Sequence, residues 1–321
     1  MDSVSRYINP YTDFGFKRLF GEEANKDLLI DFLNTFLPER HRVKTLEFRN
    51  TEQLGVIALD RRAIFDIYCV AENGERFIVE MQKARQNWFK DRALFYAAFP
   101  IRDQAPKGTF DLDRKVWDFE LKAVYLIAVL DFEYDKDEER QKLQRNVKLK
   151  DQDGDLFYDK LEFIFLQMPL FKKTEAELET HQDKWLYFLQ NLESFTSLPS
   201  IFREPVFERA IETAEVAALN KDELVQYEMS RMVQWDNYAV MKTAVDEGIA
   251  KGIKEGMAQG MAQGMAQGMA QGKAEGRTEG RAEGETQKAI DIARSMKKDG
   301  VDPLVIAKYT GLSPEEIERV Q

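Results

Sequence analysis

Asp66, Glu80 and Gln82 are the residues of this chain whose types and spacing could do chemistry. They fall in two short stretches, Phe65-Asp66-Ile67 and Val79-Glu80-Met81-Gln82, joined through Asn73-Gly74. That dipeptide between apolar runs marks a β-hairpin. Carboxylates gathered on a strand pair are costly unless a cation or a partner neutralises them. A hard divalent cation such as Mg²⁺ takes oxygen ligands. The pattern therefore points to metal-assisted phosphodiester hydrolysis, with a solvated acidic strand face as the plain alternative.

Register decides whether the carboxylates meet. Alternation puts Glu80 and Gln82 on one face of a strand and Val79 and Met81 on the other. A two-residue turn at Asn73-Gly74 would set Asp66 opposite Met81. A three-residue loop, Glu72-Asn73-Gly74, with Gly74 in the left-handed region as a bulge, shifts the pairing by one. Asp66 then lies across from Glu80, with Cβ atoms about 4.5–5.5 Å apart. The bulged turn is the one expected, because the tighter one separates the carboxylates onto opposite faces.

Asp66, thirteen intervening residues and then Glu80-Met81-Gln82 resembles the PD-(D/E)XK nuclease core, in the variant that ends in Gln instead of Lys. Four further stretches resemble the transposase-like, recombination-promoting branch of that superfamily. They are Tyr11-Thr12-Asp13-Phe14-Gly15-Phe16-Lys17 with Leu19-Phe20-Gly21, Arg92-Ala93-Leu94-Phe95-Tyr96, the run from Ala123 to Leu130 after Trp117-Asp118-Phe119, and a C-terminal glycine repeat. The resemblance implies a restriction-endonuclease-like α/β core and Mg²⁺-dependent DNA cleavage, with Mn²⁺ as a substitute metal. On that basis Asp66, Glu80 and the Met81 carbonyl hold the metal. Gln82 orients a water or a phosphate oxygen; being uncharged, it cannot serve as a base.

Composition agrees with a folded enzyme. The chain has 321 residues, 44% hydrophobic and 12% aromatic, enough for one large or two modest domains. One cysteine, Cys69, excludes an internal disulfide and fits a reducing cytoplasm. With only His41 and His181, a zinc site of His and Cys is nearly ruled out. The Met1-Asp2-Ser3 start lacks a signal-peptide pattern, and no apolar run reaches a transmembrane length, so a soluble cytoplasmic protein with no membrane contact is expected.

A net charge of −11 is unusual for a DNA-binding protein, but it is unevenly spread. Residues 1–130 carry 20 basic and 20 acidic side chains, and residues 131–321 carry 26 and 37. The catalytic half can thus offer a local basic surface. Lys83, Arg85, Lys90 and Arg92 follow the motif directly, where phosphates would pass. Lys90 reads as ordinary helix-surface charge. Arg92 and Tyr96 share one face of a helix expected over 88–101, and with Lys83 and Arg85 they are the candidate DNA contacts. Arg92 is either a phosphate contact or one end of a salt bridge to the hairpin.

The positioning elements follow from periodicity. A helix begins at Thr12 or Asp13, with Phe16, Leu19 and Phe20 facing the core. A second runs through Leu28 to Leu33 and stops before Pro38. Strands are expected at 43–48, 63–70, 77–82, 121–130 and 161–167, which makes a mixed sheet flanked by helices. Residues 131–160 form a solvent-facing hairpin or loop. Asp151, Asp153 and Asp155 within it do not match a calcium loop, since Gly154 comes too early and no glutamate closes the motif.

Four regions result: a nuclease core over 1–171, a helical extension over 172–246, a glycine-repeat linker over 247–285, and a helix-turn-helix-like pair over 286–321. Glycine recurs every fourth residue from 248 to 284. In a helix this stripe drifts about 40° per repeat, and each glycine weakens the helix by about 0.8–1 kcal/mol relative to alanine. A partly helical linker is expected. In the last region, Ser313-Pro314-Glu315-Glu316 has the signature of a helix start. Its helix carries Glu315, Glu316 and Glu318 against Arg319, which favours homo-oligomerisation or packing over base reading. Two other function classes stay open: an inactive nuclease fold that binds DNA or assists assembly, and a regulator acting through the C-terminal pair.

Overall fold

A computed structural model describes residues 5–53, 63–105, 120–134 and 141–320. Met1-Asp2-Ser3 and Trp117-Asp118-Phe119 lie outside the described residues. Contacts divide the chain into two units, Met1–Asn237 and Tyr238–Gln321.

In the first unit, α1 (Asp13–Phe20) starts at Thr12, whose side chain accepts from the Gly15 amide; Asp13 is the acid of the first turn. Gly15 is required here, because a Cβ would stand 2.1 Å from the Asn9 carbonyl oxygen. Leu28, Leu29, Phe32, Leu33 and Phe36 recur at helical spacing and bury one face of α2 (Lys26–Phe36). Strands β1 (Leu46–Phe48), β2 (Glu52–Gln53), β3 (Ala63–Ile64), β4 (Ile67–Ala71) and β5 (Arg76–Gln82) follow, then α3 (Phe89–Arg102). Next come β6 (Val124–Leu130), β7 (Gln144–Lys150), β8 (Leu156–Gln167), α4 (His181–Asn191) and α5 (Pro205–Ala214).

Six strands form one mixed sheet in the order β1-β4-β5-β6-β8-β7, and β2 and β3 pair apart from it. Strands β5, β6 and β8 are parallel; β1, β4 and β7 are antiparallel to their neighbours. All seven residues of β6 are buried, as a central parallel strand covered on both faces requires. One face packs against α1, α2, α4 and α5, where Trp185 meets Phe20, Phe32 and Phe207 at ring distances of 5.6, 5.7 and 4.9 Å. Such pairs add about 0.5–1.5 kcal/mol each beyond area burial. The other face is covered by α3 through Phe89, Ala93, Ala97 and Phe99.

The aspartates of 151–155 close the β7–β8 hairpin. Asp151 Oδ1 accepts from the amides of Asp153 and Asp155 at 3.0 and 2.9 Å, so the run is a side-chain-capped turn.

Helix α6 (Lys221–Lys298) is 78 residues long and runs through every glycine of the repeat. This corrects the expected partly helical linker. The residues between the glycines are mostly Met, Ala, Gln, Lys and Glu, all strong helix formers. Ion pairs four residues apart, Lys251–Glu255 and Arg281–Glu285, run along the same helix.

The second unit ends in α7 (Pro303–Thr310) and α8 (Pro314–Arg319). Ala293, Ile306 and Ile317 are its buried centre. Gly311 at φ +71° ends α7, and Ser313 and Glu316 form a capping box for α8. The Lys297 ammonium donates to the carbonyls of Ile317, Glu318 and Val320. The end of α6 and both short helices thus share this small core.

Candidate functional site: a carboxylate hairpin beneath α3

The hairpin turn is the bulged one. The Ala71 amide donates to Glu75 O and the Gly74 amide to Ala71 O, both at 2.9 Å, and Gly74 has φ +85°. Ile67 pairs with Val79 and Cys69 with Phe77, so one step further places Asp66 opposite Glu80. The expected single strand over 63–70 is nevertheless broken. The Phe65 amide still donates to Thr51 O at 3.0 Å, ladder pairing resumes at Ile67, and Phe65 is buried against Tyr68 and Tyr96. The Asp66 side chain takes the place of the missing ladder bond: the Met81 amide donates to Asp66 Oδ2 at 2.7 Å. In return the Asp66 amide donates to Glu80 Oε1 at 3.3 Å.

Glu80 and Gln82 point to the α3 face, where they are 4% and 8% exposed. Met81 packs on the opposite face. The Gln82 amide nitrogen donates to Glu80 Oε2 at 2.8 Å. Arg92, from the second turn of α3, donates to the side-chain oxygens of Gln82 and Gln86. Its guanidinium stands 3.8 Å from Glu80 Oε2 and lies over the Tyr96 ring at 5.3 Å. Of the two roles expected for Arg92, the tie to the hairpin is the one present in this geometry, and it runs chiefly through Gln82.

Burial, reinforced by the Asp66 charge, pushes the Glu80 carboxyl up to about 8. Asp66 is also raised, chiefly by burial, against the lowering effect of the Met81 amide. Two hard oxygen donors are thus held together without enough positive charge to neutralise them. That donor set fits a divalent cation of the Mg²⁺ type and not zinc, since neither histidine nor cysteine is present at the site. Among the described residues no group of three or more His, Cys, Asp and Glu is arranged to hold a metal ion. The Met81 carbonyl belongs to the right backbone face: Gln82 O accepts from the Asp131 amide of the β6 side, so Met81 turns its peptide groups toward Asp66. Mg²⁺ usually takes one or two carboxylates plus water and phosphate oxygens.

Asp66 also borders a cleft of about 790 Å³ that Glu80 does not line. Asp13, Lys17, Arg18 and Arg49 line it, together with Met229 and Ser230 of α6. The Tyr11-to-Lys17 motif therefore stands beside the hairpin, and Asp13 and Lys17 act on the Asp66 charge in opposite directions. The sequence places Phe16, Leu19 and Phe20 of this helix in the core and Asp13 at its cap, without a place for the helix beside Asp66. The alternation of buried Phe16 and Leu19 with charged Asp13, Lys17 and Arg18 was the available signal.

The four residues expected to contact DNA are separated. Arg92 and Tyr96 lie beside Glu80 and Gln82. Lys83 is under the influence of Asp131 and Glu193, with burial lowering its ammonium below the ordinary lysine value. Arg85 lines a smaller cleft with Trp88, Phe132 and Tyr134. Trp88 and Gln86 were not singled out by the sequence.

A mixed sheet with a carboxylate hairpin beside its parallel core is the architecture of a restriction-endonuclease-like protein. The chain belongs to the PD-(D/E)XK nuclease family transposase group, which it matches over residues 10–244. Residues 286–321 match the C-terminal HTH domain of the Rpn/YhgA-like nuclease family. Comparison with curated proteins and with solved structures returned no match. No helix among the described residues is long and apolar enough to cross a membrane.

Proposed function

We propose that this protein is a divalent-metal-dependent DNA endonuclease centred on Asp66 and Glu80, with Mg²⁺ as the metal and Mn²⁺ as a substitute. The observation that carries the reading is a buried Glu80 and a half-buried Asp66, incompletely compensated and held in register by the Gly74 bulge. Family membership supports the nuclease class, and the transposase description supports a link to recombination or mobile-element movement. The HTH match supports DNA as the partner.

Asp66, Glu80 and the Met81 carbonyl would hold the cation. When bound, it supplies positive charge to the scissile phosphate and acidifies a water. The protein's own part is positional. Gln82 fixes the Glu80 carboxylate, and Arg92 fixes Gln82 while placing a guanidinium next to the site. Gln82 accepts no proton, so it cannot itself act as a general base. Self-association belongs to residues 286–321 in this reading, because α8 presents Glu315, Glu316 and Glu318 while Leu304 and Tyr309 of α7 are exposed.

Nicking and linearisation of supercoiled plasmid tests the reading, with wild type and Asp66→Asn in Mg²⁺ and in EDTA. Cleavage that requires both the metal and Asp66 is expected. Cleavage that survives the substitution would move the centre elsewhere. Metal binding without cleavage by the wild type would favour an inactive DNA-associated module.

A further inference from the structure

Trp88 is placed where neither helix capping nor core packing has a use for an indole. It is 79% exposed. Its backbone lies in the left-handed region at φ +66°, ψ +25°, alone among the described non-glycine residues in having positive φ. A bulky side chain there is strained, and such strain collects at functional sites. As the N-cap of α3 it makes no side-chain hydrogen bond, whereas Ser, Thr, Asp or Asn would.

Its surroundings are cationic and aromatic. Trp88 shares a cleft of about 330 Å³ with Arg85, Lys90, Phe132 and Tyr134. The Lys90 ammonium and the Arg145 guanidinium both lie over the Tyr134 ring, at 5.2 and 5.4 Å. The Trp88 carbonyl accepts from the Arg92 amide at 2.9 Å, so the indole stands one helical turn from the residue that holds Gln82.

Exposed aromatics interleaved with Lys and Arg are the means by which proteins grip single-stranded nucleic acid: rings stack on bases and cations follow phosphates. In an intact duplex the base faces are already stacked on one another. We propose that Trp88 is a stacking platform for an unpaired base, and that the substrate class is DNA with single-stranded character beside the cut. This rests on the nuclease reading above and adds the substrate to it.

The test is fluorescence anisotropy of a labelled single strand and of a blunt duplex of the same sequence, titrated with the full chain in EDTA. Wild type, Trp88→Gly and Trp88→Phe are compared. Glycine occupies positive φ without strain, so that variant should fold at least as well as wild type. Trp88→Gly is expected to lose about 5- to 150-fold in affinity for the single strand, with duplex binding little changed and Trp88→Phe restoring most of the loss. Equal single-strand affinity of wild type and Trp88→Gly would overturn the proposal, as would an equal loss on both DNAs. DNA binding that is independent of Trp88 leaves the nuclease reading standing. No binding of either DNA by wild type would bring down both.

Discussion

The Met81 amide and the Asp66 carboxylate are joined across 2.7 Å, although Asp66 lies outside any strand. The aspartate is therefore positioned by the partner strand's backbone, and its charge is fixed next to Glu80 before any cation arrives. Removing the charge while keeping the shape separates the two roles. Asp66→Asn retains an acceptor for the Met81 amide, so the fold should persist. Mg²⁺ at a hundred times Kd should stabilise metal-stripped wild type by about 2.7 kcal/mol and so raise its melting temperature, and Asp66→Asn should show no shift. Thermal melts with and without Mg²⁺ decide this. An equal shift in both proteins would place the metal elsewhere.

Arg92 supports the site through Gln82. Lysine cannot reproduce the two donations to Gln82 and Gln86 from one planar group. Arg92→Lys should lower the plasmid cleavage rate about 10- to 100-fold, the usual cost of losing a residue that orients metal ligands. The melting temperature should change little, because the side chain is partly exposed. Cleavage at the wild-type rate would show that the Gln82 contact has no part in the reaction.

Gly15 offers a test of the scaffold. A methyl group there meets the Asn9 carbonyl, and Asn9 cannot easily yield: its amide donates to the Tyr227 hydroxyl and its side chain to Glu193. Gly15→Ala gains helix propensity of up to about 1 kcal/mol. It should still lose about 1–3 kcal/mol through overpacking. Chemical denaturation measures the balance, and a stabilised variant would mean that the loop before α1 can shift.

How far the sequence could be read depended on whether an answer was local. The Asn73-Gly74 dipeptide and the need to keep two carboxylates on one face were enough to set the register, and Gly74 has the backbone that this requires. The break at Asp66 was not legible, because it depends on a side chain replacing a backbone bond to another strand. A tie from Arg92 to the hairpin was one of the two roles open in the sequence; its running to Gln82 was not legible, since that contact arises only when α3 lies across the sheet. In α6 the glycine penalties were legible, but the intervening helix formers outweigh them, and the helix runs unbroken.

His181 links α4 to α2 and gives the fold a pH dependence. Its Nε2 lies 2.6 Å from Asp31 Oδ2 and its Nδ1 3.2 Å from Glu204 Oε2, with Lys184 also facing Glu204. The hydrogen bond with Asp31 raises His181 above the ordinary 6.5. Asp31 is lowered below the ordinary 3.8 by His181 and Trp185, which outweigh its burial. A raised histidine contributes stability that is fully present below about 6.5 and is lost as pH rises through the folded value. The lowered aspartate contributes above about 3.8 and loses its share as pH falls through the folded value. The melting-temperature gap between wild type and His181→Gln should therefore be widest between about pH 4 and 6.5 and should shrink in alkali. A gap that grows toward alkaline pH would reverse the assignment.

The glycine repeat distinguishes two roles for α6. A Cβ added at any of Gly256, Gly260, Gly264 and Gly268 meets nothing within 4 Å. If the glycines serve no packing, replacing all four with alanine should stabilise the helix by about 0.8–1 kcal/mol per site. The loss of helical circular dichroism on heating should then move upward, with the oligomeric state unchanged by light scattering. If the stripe instead permits close approach of a second helix, four methyl groups would hold the two apart. The larger species would dissociate in that case, even though the isolated helix gained propensity. Scattering and dichroism measured on the same sample separate the outcomes, since only the packing role couples a stronger helix to a smaller assembly.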